Sequence, residues 1–333
     1  MERFTQFRDR GTGVAPFFPP PPPPLGFPKL IVWVTLFWFR LFIFIPICLA
    51  YFMVFHWLPL PSLVRKGFLW LILAVPSFWW IDLQVDGVRK GTLGSTQHQN
   101  RLPGPGSVIA SSFTSPIDPF YLAAVFNPVF VACYPYTGEV EHLSLWQAIL
   151  RAFADPQPTP KPNARMVSLF SIIQKYPNRS IALFPECTTT NGQGVLPLSP
   201  ALLSAPHRTK IFPVTLRHDP KELMTPVPGT YFTWLWRLLG RPSHFIRVRI
   251  GQAVVGVTAE DLPVVEPHGD APGGMNGNDG QPFREDHVLV LQEQVPNHVA
   301  DSLARLGRAR RVALDVREKE EFVKLYRKYN WTW

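Results

Sequence analysis

Residues 30–60 are almost wholly apolar, interrupted by Arg40 and His56. Residues 41–60 alone supply about the 20 positions that a helix needs to cross the hydrocarbon core of a bilayer. A second apolar stretch, residues 67–81, is shorter and contains Pro76, and Pro59, Pro61, Arg65 and Lys66 break the two apart. Trp57, Trp70, Trp79 and Trp80 lie near the ends of these stretches, where aromatic rings favour the membrane interface. Two topologies fit: a single span with the second stretch in the interface, or a hairpin that returns to the side it entered. The hairpin is the preferred expectation. It puts Arg3, Arg8, Arg10 and Lys29 on one face with Arg89 and Lys90, which the positive-inside rule assigns to the cytosol. Pro-rich polar sequence precedes the stretch and no small-residue cleavage site follows it, so no signal peptide is expected.

The net charge of +9 suits an anionic partner. Eleven Trp and 25 Phe, gathered mainly in the first third, favour membrane lipid and set nucleic acid aside. Cys48, Cys133 and Cys187 have no paired or metal-like spacing, so neither a disulfide framework nor a metal site is expected. The run of prolines at residues 19–24 reads as an extended spacer.

Beyond residue 85 short apolar runs recur at 107–111, 129–133, 180–184, 211–216 and 244–250, with helical patterns at 119–126, 143–154 and 164–176 between them. This alternation predicts an α/β domain with a buried mixed sheet flanked by helices, preceded by the membrane anchor. The expected divisions are a Pro-rich tail (1–29), the anchoring segment (30–82), the α/β domain (83–268), a flexible insert (269–283) and a C-terminal helical segment (284–333). Within the last, residues 285–306 and 316–329 read as helices. Arg305, Arg308, Arg310 and Arg311 are a basic group for anionic headgroups or a solvated face.

Three short blocks carry chemistry. The first reads Ser112-Phe-Thr-Ser-Pro-Ile-Asp118-Pro-Phe, the second Leu183-Phe-Pro-Glu-Cys-Thr-Thr-Thr-Asn-Gly192 and the third Ile211-Phe-Pro-Val214. In this order, after an apolar anchor, they resemble the glycerolipid acyltransferase family, whose members carry His-x4-Asp after a strand and an acceptor block reading Glu-Gly-Thr. The resemblance extends to residues 1–16, 191–197 and 314–323, and is strongest toward the fungal lysophosphatidic acid:oleoyl-CoA acyltransferase branch, linked to lipid droplets and vacuolar sorting. It covers nearly the whole chain apart from the proline run and residues 270–282.

The resemblance implies acyl transfer from acyl-CoA, as co-substrate with no bound cofactor, to lysophosphatidic acid or a related lysophospholipid. It also implies a place at the endoplasmic reticulum or lipid droplet, with the main domain facing the cytosol. Asp118 takes the position of the catalytic acid, and Ser115, Glu186, Cys187, Thr188 and Thr189 take the substrate-binding positions. Phe113 stands where the family carries its histidine, and Cys187 stands where the acceptor block has glycine. A phenyl ring cannot accept a proton, and general-base catalysis is worth about 10²–10⁴-fold. The resemblance to the fungal branch implies that the loss is shared with a relative there. A lipid-binding or scaffolding protein on a degenerate acyltransferase fold is therefore the alternative. Asp118 also precedes Pro119, the pattern of a helix N-cap. His142 and His218 are possible proton acceptors, Cys187 a possible nucleophile, Arg151 a candidate for the family's middle arginine, and Lys175, Arg179 and Arg217 candidate phosphate donors.

Overall fold

The protein is described by a computed structural model covering residues 2–22, 24, 26–55, 58, 61–89, 100–206, 208–255 and 282–330. The short apolar runs become strands because each is flanked by turn residues and rich in β-branched or aromatic side chains. In chain order they are β1 (Trp80–Val85), β2 (Val108–Ser111), β3 (Val129–Tyr134), β4 (Thr137–Leu143), β5 (Met166–Ser168), β6 (Ile181–Leu183), β7 (Gly194–Val195), β8 (Lys210–Asp219), β9 (Phe245–Ile250), β10 (Val254–Val255) and β11 (Arg310–Arg311). Nine of them form a mixed sheet in the order β1-β9-β8-β2-β6-β3-β4-β5, with β10 pairing on β8. The centre is parallel: β2 runs alongside both β6 and β8, and β3 alongside β6. β9 and β4 run antiparallel to β8 and β3. The sheet is the expected one, widened by β1, β4 and β5.

Helices cover both faces: α1 (Phe27–Leu49), α2 (Ser62–Ala74), α3 (Ile117–Phe126), α4 (Leu145–Arg151), α5 (Leu169–Lys175), α6 (Tyr231–Gly240), α7 (Pro282–Gly307) and α8 (Val316–Asn330). The side chains of Phe212, Val214 and Leu216 point into one core with residues of α1–α4 and α6. Those of Val108, Ala110 and Ile181 point into a second core with residues of α5 and α7. Alternation along each strand feeds both layers. The insert expected at residues 269–283 lies outside the described residues save for its end.

α1 continues through a π-helical turn to Phe55, giving 29 residues long and apolar enough to cross a membrane. Only 17% of its most apolar window is buried in the protein, and Trp38, Phe39 and Phe42 point outward. The hairpin preference is not reproduced. α2 has 13 residues, about 20 Å of helix, short of the roughly 30 Å hydrocarbon core. Its Leu69, Ile72 and Leu73 are instead buried in the main core. Arg40 interrupts the apolar helix for a structural reason. Its guanidinium donates to the carbonyls of Leu239, Arg241 and Pro242 and to Ser77 Oγ, serving the C-terminal carbonyls of α6 that have no helical partner.

The N-terminal segment from Phe4 to Phe18 packs against the last helix. Phe7, Phe17, Leu196, Val312, Phe322 and Val323 form a third core, with Phe322 in ring contact with Phe4, Phe7, Phe17 and Phe18. Asp9 fixes this join by accepting from Thr12 and from Ala313 N. Phe322→Ala empties the middle of the cluster and is expected to cost about 3–5 kcal/mol, read as a fall in the thermal unfolding midpoint of detergent-solubilised protein.

Candidate active site

The polar blocks meet at the carboxyl edge of the parallel strands β2, β6 and β8, the edge at which open α/β sheets present their sites. α3 opens at Ile117 behind Pro116, with no side-chain cap. Asp118 thus lies inside the first turn and is not the N-cap that Asp-Pro suggests. Its carboxylate turns back toward β2. Oδ2 accepts from Thr114 N at 2.6 Å, Ser115 N at 3.0 Å and Thr114 Oγ1 at 3.1 Å. Oδ1 lies 2.6 Å from Nε2 of His218. Both side chains are essentially inaccessible.

His218 comes from the far end of β8, 100 residues along the chain. It reaches Asp118 because side chains 212, 214, 216 and 218 share one face of the strand, and the strand outlasts its apolar run by one inward position. The chain then leaves β8 through a cis peptide between Asp219 and Pro220. Phe113 packs in the core, its ring stacked on Phe184 with centroids 4.3 Å apart, while its carbonyl accepts from Thr190 N.

The second block forms a buried turn. Cys187 adopts a φ of +60°, the left-handed region in which glycine is unstrained, and this accounts for glycine at this position in the related motif. Its thiol is buried and lies 3.5 Å from the Pro185 carbonyl. Burial holds its pKa well above the ordinary range, which keeps it protonated and unsuited to nucleophilic attack. Thr188 N donates to the Glu186 carbonyl, and Ser115 Oγ accepts from Ile117 N. Glu186 Oε2 accepts from Thr190 Oγ1 and Leu196 N.

Lys319 of α8 enters this turn and donates to the carbonyl and hydroxyl of Thr189. Burial pushes Glu186 up to about 8 and brings Lys319 down to about 7, each partly offset by attraction to the other. The sequence reading missed Lys319. Its signal was helical spacing, since Val316, Phe322 and Val323 share its buried side of α8. Asn191 continues the turn and holds the N-terminal segment, donating to the carbonyls of Ala15 and Phe18.

Other candidates fall elsewhere. Arg151 lies over the Tyr134 ring and donates to the Cys133 carbonyl. Arg179 is bound to the carbonyls of Asn127 and Pro128, at the opposite edge of the sheet. His142 lines a cavity at that edge together with Arg65 and Arg179, and Lys175 lies over the neighbouring Tyr176 ring. Arg217 lines a small cleft with Glu186 and Thr190. Arg305 and Arg311 are paired with Asp86 and Asp301. Among the described residues no group of His, Cys, Asp and Glu is arranged to hold a metal ion.

An apolar cavity of about 290 Å³ is lined by Phe44, Cys48 and Phe52 of the membrane-length helix, Ile117 and Phe120 of α3, and Phe78 and Leu238. Ile117 adjoins Asp118 in the chain, so apolar space and polar centre share α3.

An α/β domain preceded by a membrane-length helix, with these ordered blocks at the carboxyl edge of its sheet, has the arrangement that the resemblance to glycerolipid acyltransferases implies. Over 256 residues the chain is 28% identical to a Schizosaccharomyces pombe protein provisionally named lysophosphatidic acid:oleoyl-CoA acyltransferase, covering 75% of this chain and 83% of that one. Over 199 residues it is 24% identical to lysophosphatidic acid:oleoyl-CoA acyltransferase 1 of Saccharomyces cerevisiae, covering 60% of this chain and 61% of that one. The chain is a relative of the fungal lysophosphatidic acid acyltransferase branch. No family model matches it, and no solved structure does.

The raised pKa of Glu186 sets a pH dependence. Its contribution to stability is complete below its ordinary value of 4.5 and is lost as pH rises through about 8. Glu186→Gln removes this titration while retaining the shape. Between about pH 5 and about pH 9 the parent protein should therefore lose thermal stability relative to the Gln variant, measured by unfolding in matched buffers.

Proposed function

We propose that the protein is a membrane-bound, acyl-CoA-dependent acyltransferase that acylates lysophosphatidic acid or a related lysophospholipid. Its place would be the endoplasmic reticulum or lipid droplet, with the α/β domain on the cytosolic side. The observation that carries this reading is an apolar cavity lined both by the membrane-length helix and by α3, the helix that carries the buried Asp118. Transfer of a fatty acyl group to a lysolipid needs both in one place: apolar space for chains drawn from the bilayer and a polar centre for the thioester and the hydroxyl. The names of the two fungal relatives support the same donor and acceptor.

In this reading Asp118 is the fixed carboxylate of the reacting centre, and Ser115 supports the loop that holds it. Glu186, Cys187, Thr188 and Thr189 shape the turn that receives the acceptor. The thioester supplies the driving force, so no cofactor is needed. The excess of positive charge suits both the anionic substrate and the membrane surface.

The test is transfer from oleoyl-CoA to lysophosphatidic acid by detergent-purified protein, with a panel of other lysophospholipids alongside. Asp118→Ala should lower turnover by about 10²-fold or more, and Glu186→Ala should also lower it, whereas Cys187→Gly should leave turnover comparable to the parent. Absence of transfer by the parent with every donor and acceptor would overturn the reading.

A further inference from the structure

We infer that His218 is the general base of this site, taking over from β8 the task for which the related motif uses the residue at position 113. The inference rests on the acyltransferase reading and adds the residue that removes the acceptor's proton.

The tautomer follows from the hydrogen bonds. Oδ2 of Asp118 accepts from three donors, two of them backbone N–H groups, so the carboxylate serves as an acceptor throughout. The short contact of Oδ1 with His218 therefore places the ring proton on Nε2 and leaves a lone pair on Nδ1. Nδ1 is buried and has no hydrogen-bond partner among the described residues. Thr215 Oγ1, Glu222 Oε2 and Thr225 Oγ1, near it in the chain, are also buried and unpartnered, as is Nδ1 of His244, whose ring interacts electrostatically with His218. Thr225 N donates to the Thr114 carbonyl, tying this segment to the loop that holds Asp118. Buried polar atoms are ordinarily satisfied, and an imidazole oriented by a carboxylate with its other nitrogen unpartnered is an exception that a polar ligand would satisfy. The apolar cavity is lined by Ile117, next to Asp118 in the chain, and by Phe78, which stacks on His244.

The reaction balances without further groups. Nδ1 accepts the hydroxyl proton of the lysolipid as its oxygen bonds to the thioester carbonyl carbon. The tetrahedral intermediate collapses, the C–S bond breaks, and the imidazolium returns the proton to the departing thiolate. The products are the ester and free CoA thiol. Asp118 is a positioning residue that holds the ring and stabilises its charged form.

The experiment compares turnover across pH for the parent, His218→Gln and Asp118→Asn, with unfolding midpoints measured alongside. The ionisable groups that act on the ring are Asp118 from α3 and His244, just before β9, with Arg40 and Arg241 in turn acting on His244. The two variants retain these apart from the group replaced. The expected result for His218→Gln is a fall in kcat of about 10²–10⁴-fold, little change in KM for acyl-CoA, and loss of the acid limb of the parent's pH profile. Asp118→Asn should lower kcat as well but keep an acid limb, moved to lower pH by loss of the carboxylate, and provides the test if the first variant does not fold. For His218→Gln a kcat within about threefold of the parent or a lower rate with the acid limb intact, or for Asp118→Asn an unmoved limb, would overturn the assignment while leaving the acyltransferase reading in place. An inactive parent would overturn both.

Discussion

Asp118 gathers the site from three parts of the chain. Its own helix supplies the carboxylate, the loop after β2 supplies three donors to one oxygen, and the end of β8 supplies a ring to the other. Such a carboxylate cannot shift without leaving several buried groups unsatisfied, and each costs about 1–3 kcal/mol when unmade. The order of the central strands follows from this need. β8 must lie beside β2 for its final inward residue to reach the first turn of α3, and the parallel register of β2 on β8 places it there. Phe113, packed on Phe184, stitches the β2 loop to the second block. It fills the position with a contact between layers.

Much of this arrangement was legible in the sequence. Five short apolar runs gave the central strands, and the Thr-Ser-Pro-Ile-Asp block marked the point where β2 turns into α3. The edge strands β4 and β5 were not legible, because Glu139, Glu141 and Thr137 give a partly exposed edge little apolar pattern. His218 was readable only as an inward position one step past an apolar run. Its partner is 100 residues away, and nothing in a linear pattern joins them. Lys319 was hidden for a related reason, since a lysine within Val-Arg-Glu-Lys-Glu-Glu-Phe looks like one of the solvated charges around it. Asp118 was misread as a cap because the Asp-Pro pair is locally sufficient, whereas its actual hydrogen bonds run backward in the chain.

The membrane-length helix is also part of the α/β domain. Arg40 ties it to the end of α6, while Phe44, Cys48 and Phe52 line the cavity beside α3. A helix that only tethered a soluble domain would have no reason to bury an arginine against that domain's carbonyls. If this helix spans a bilayer, its depth and tilt would set the shape of the cavity that it lines with α3, and membrane thickness would become a variable that the domain could register.

The contact between Lys319 and Thr189 also bears on how the protein is made. The two residues are 130 positions apart, so the ribosome spends roughly 7–26 s between them at about 5–20 residues per second. During that interval the anchor is available to insert and the central strands to pair, while the turn around Glu186 lacks the cation that closes it. The segment before residue 18 must likewise wait for Phe322. The site is therefore finished last, after the anchor has emerged.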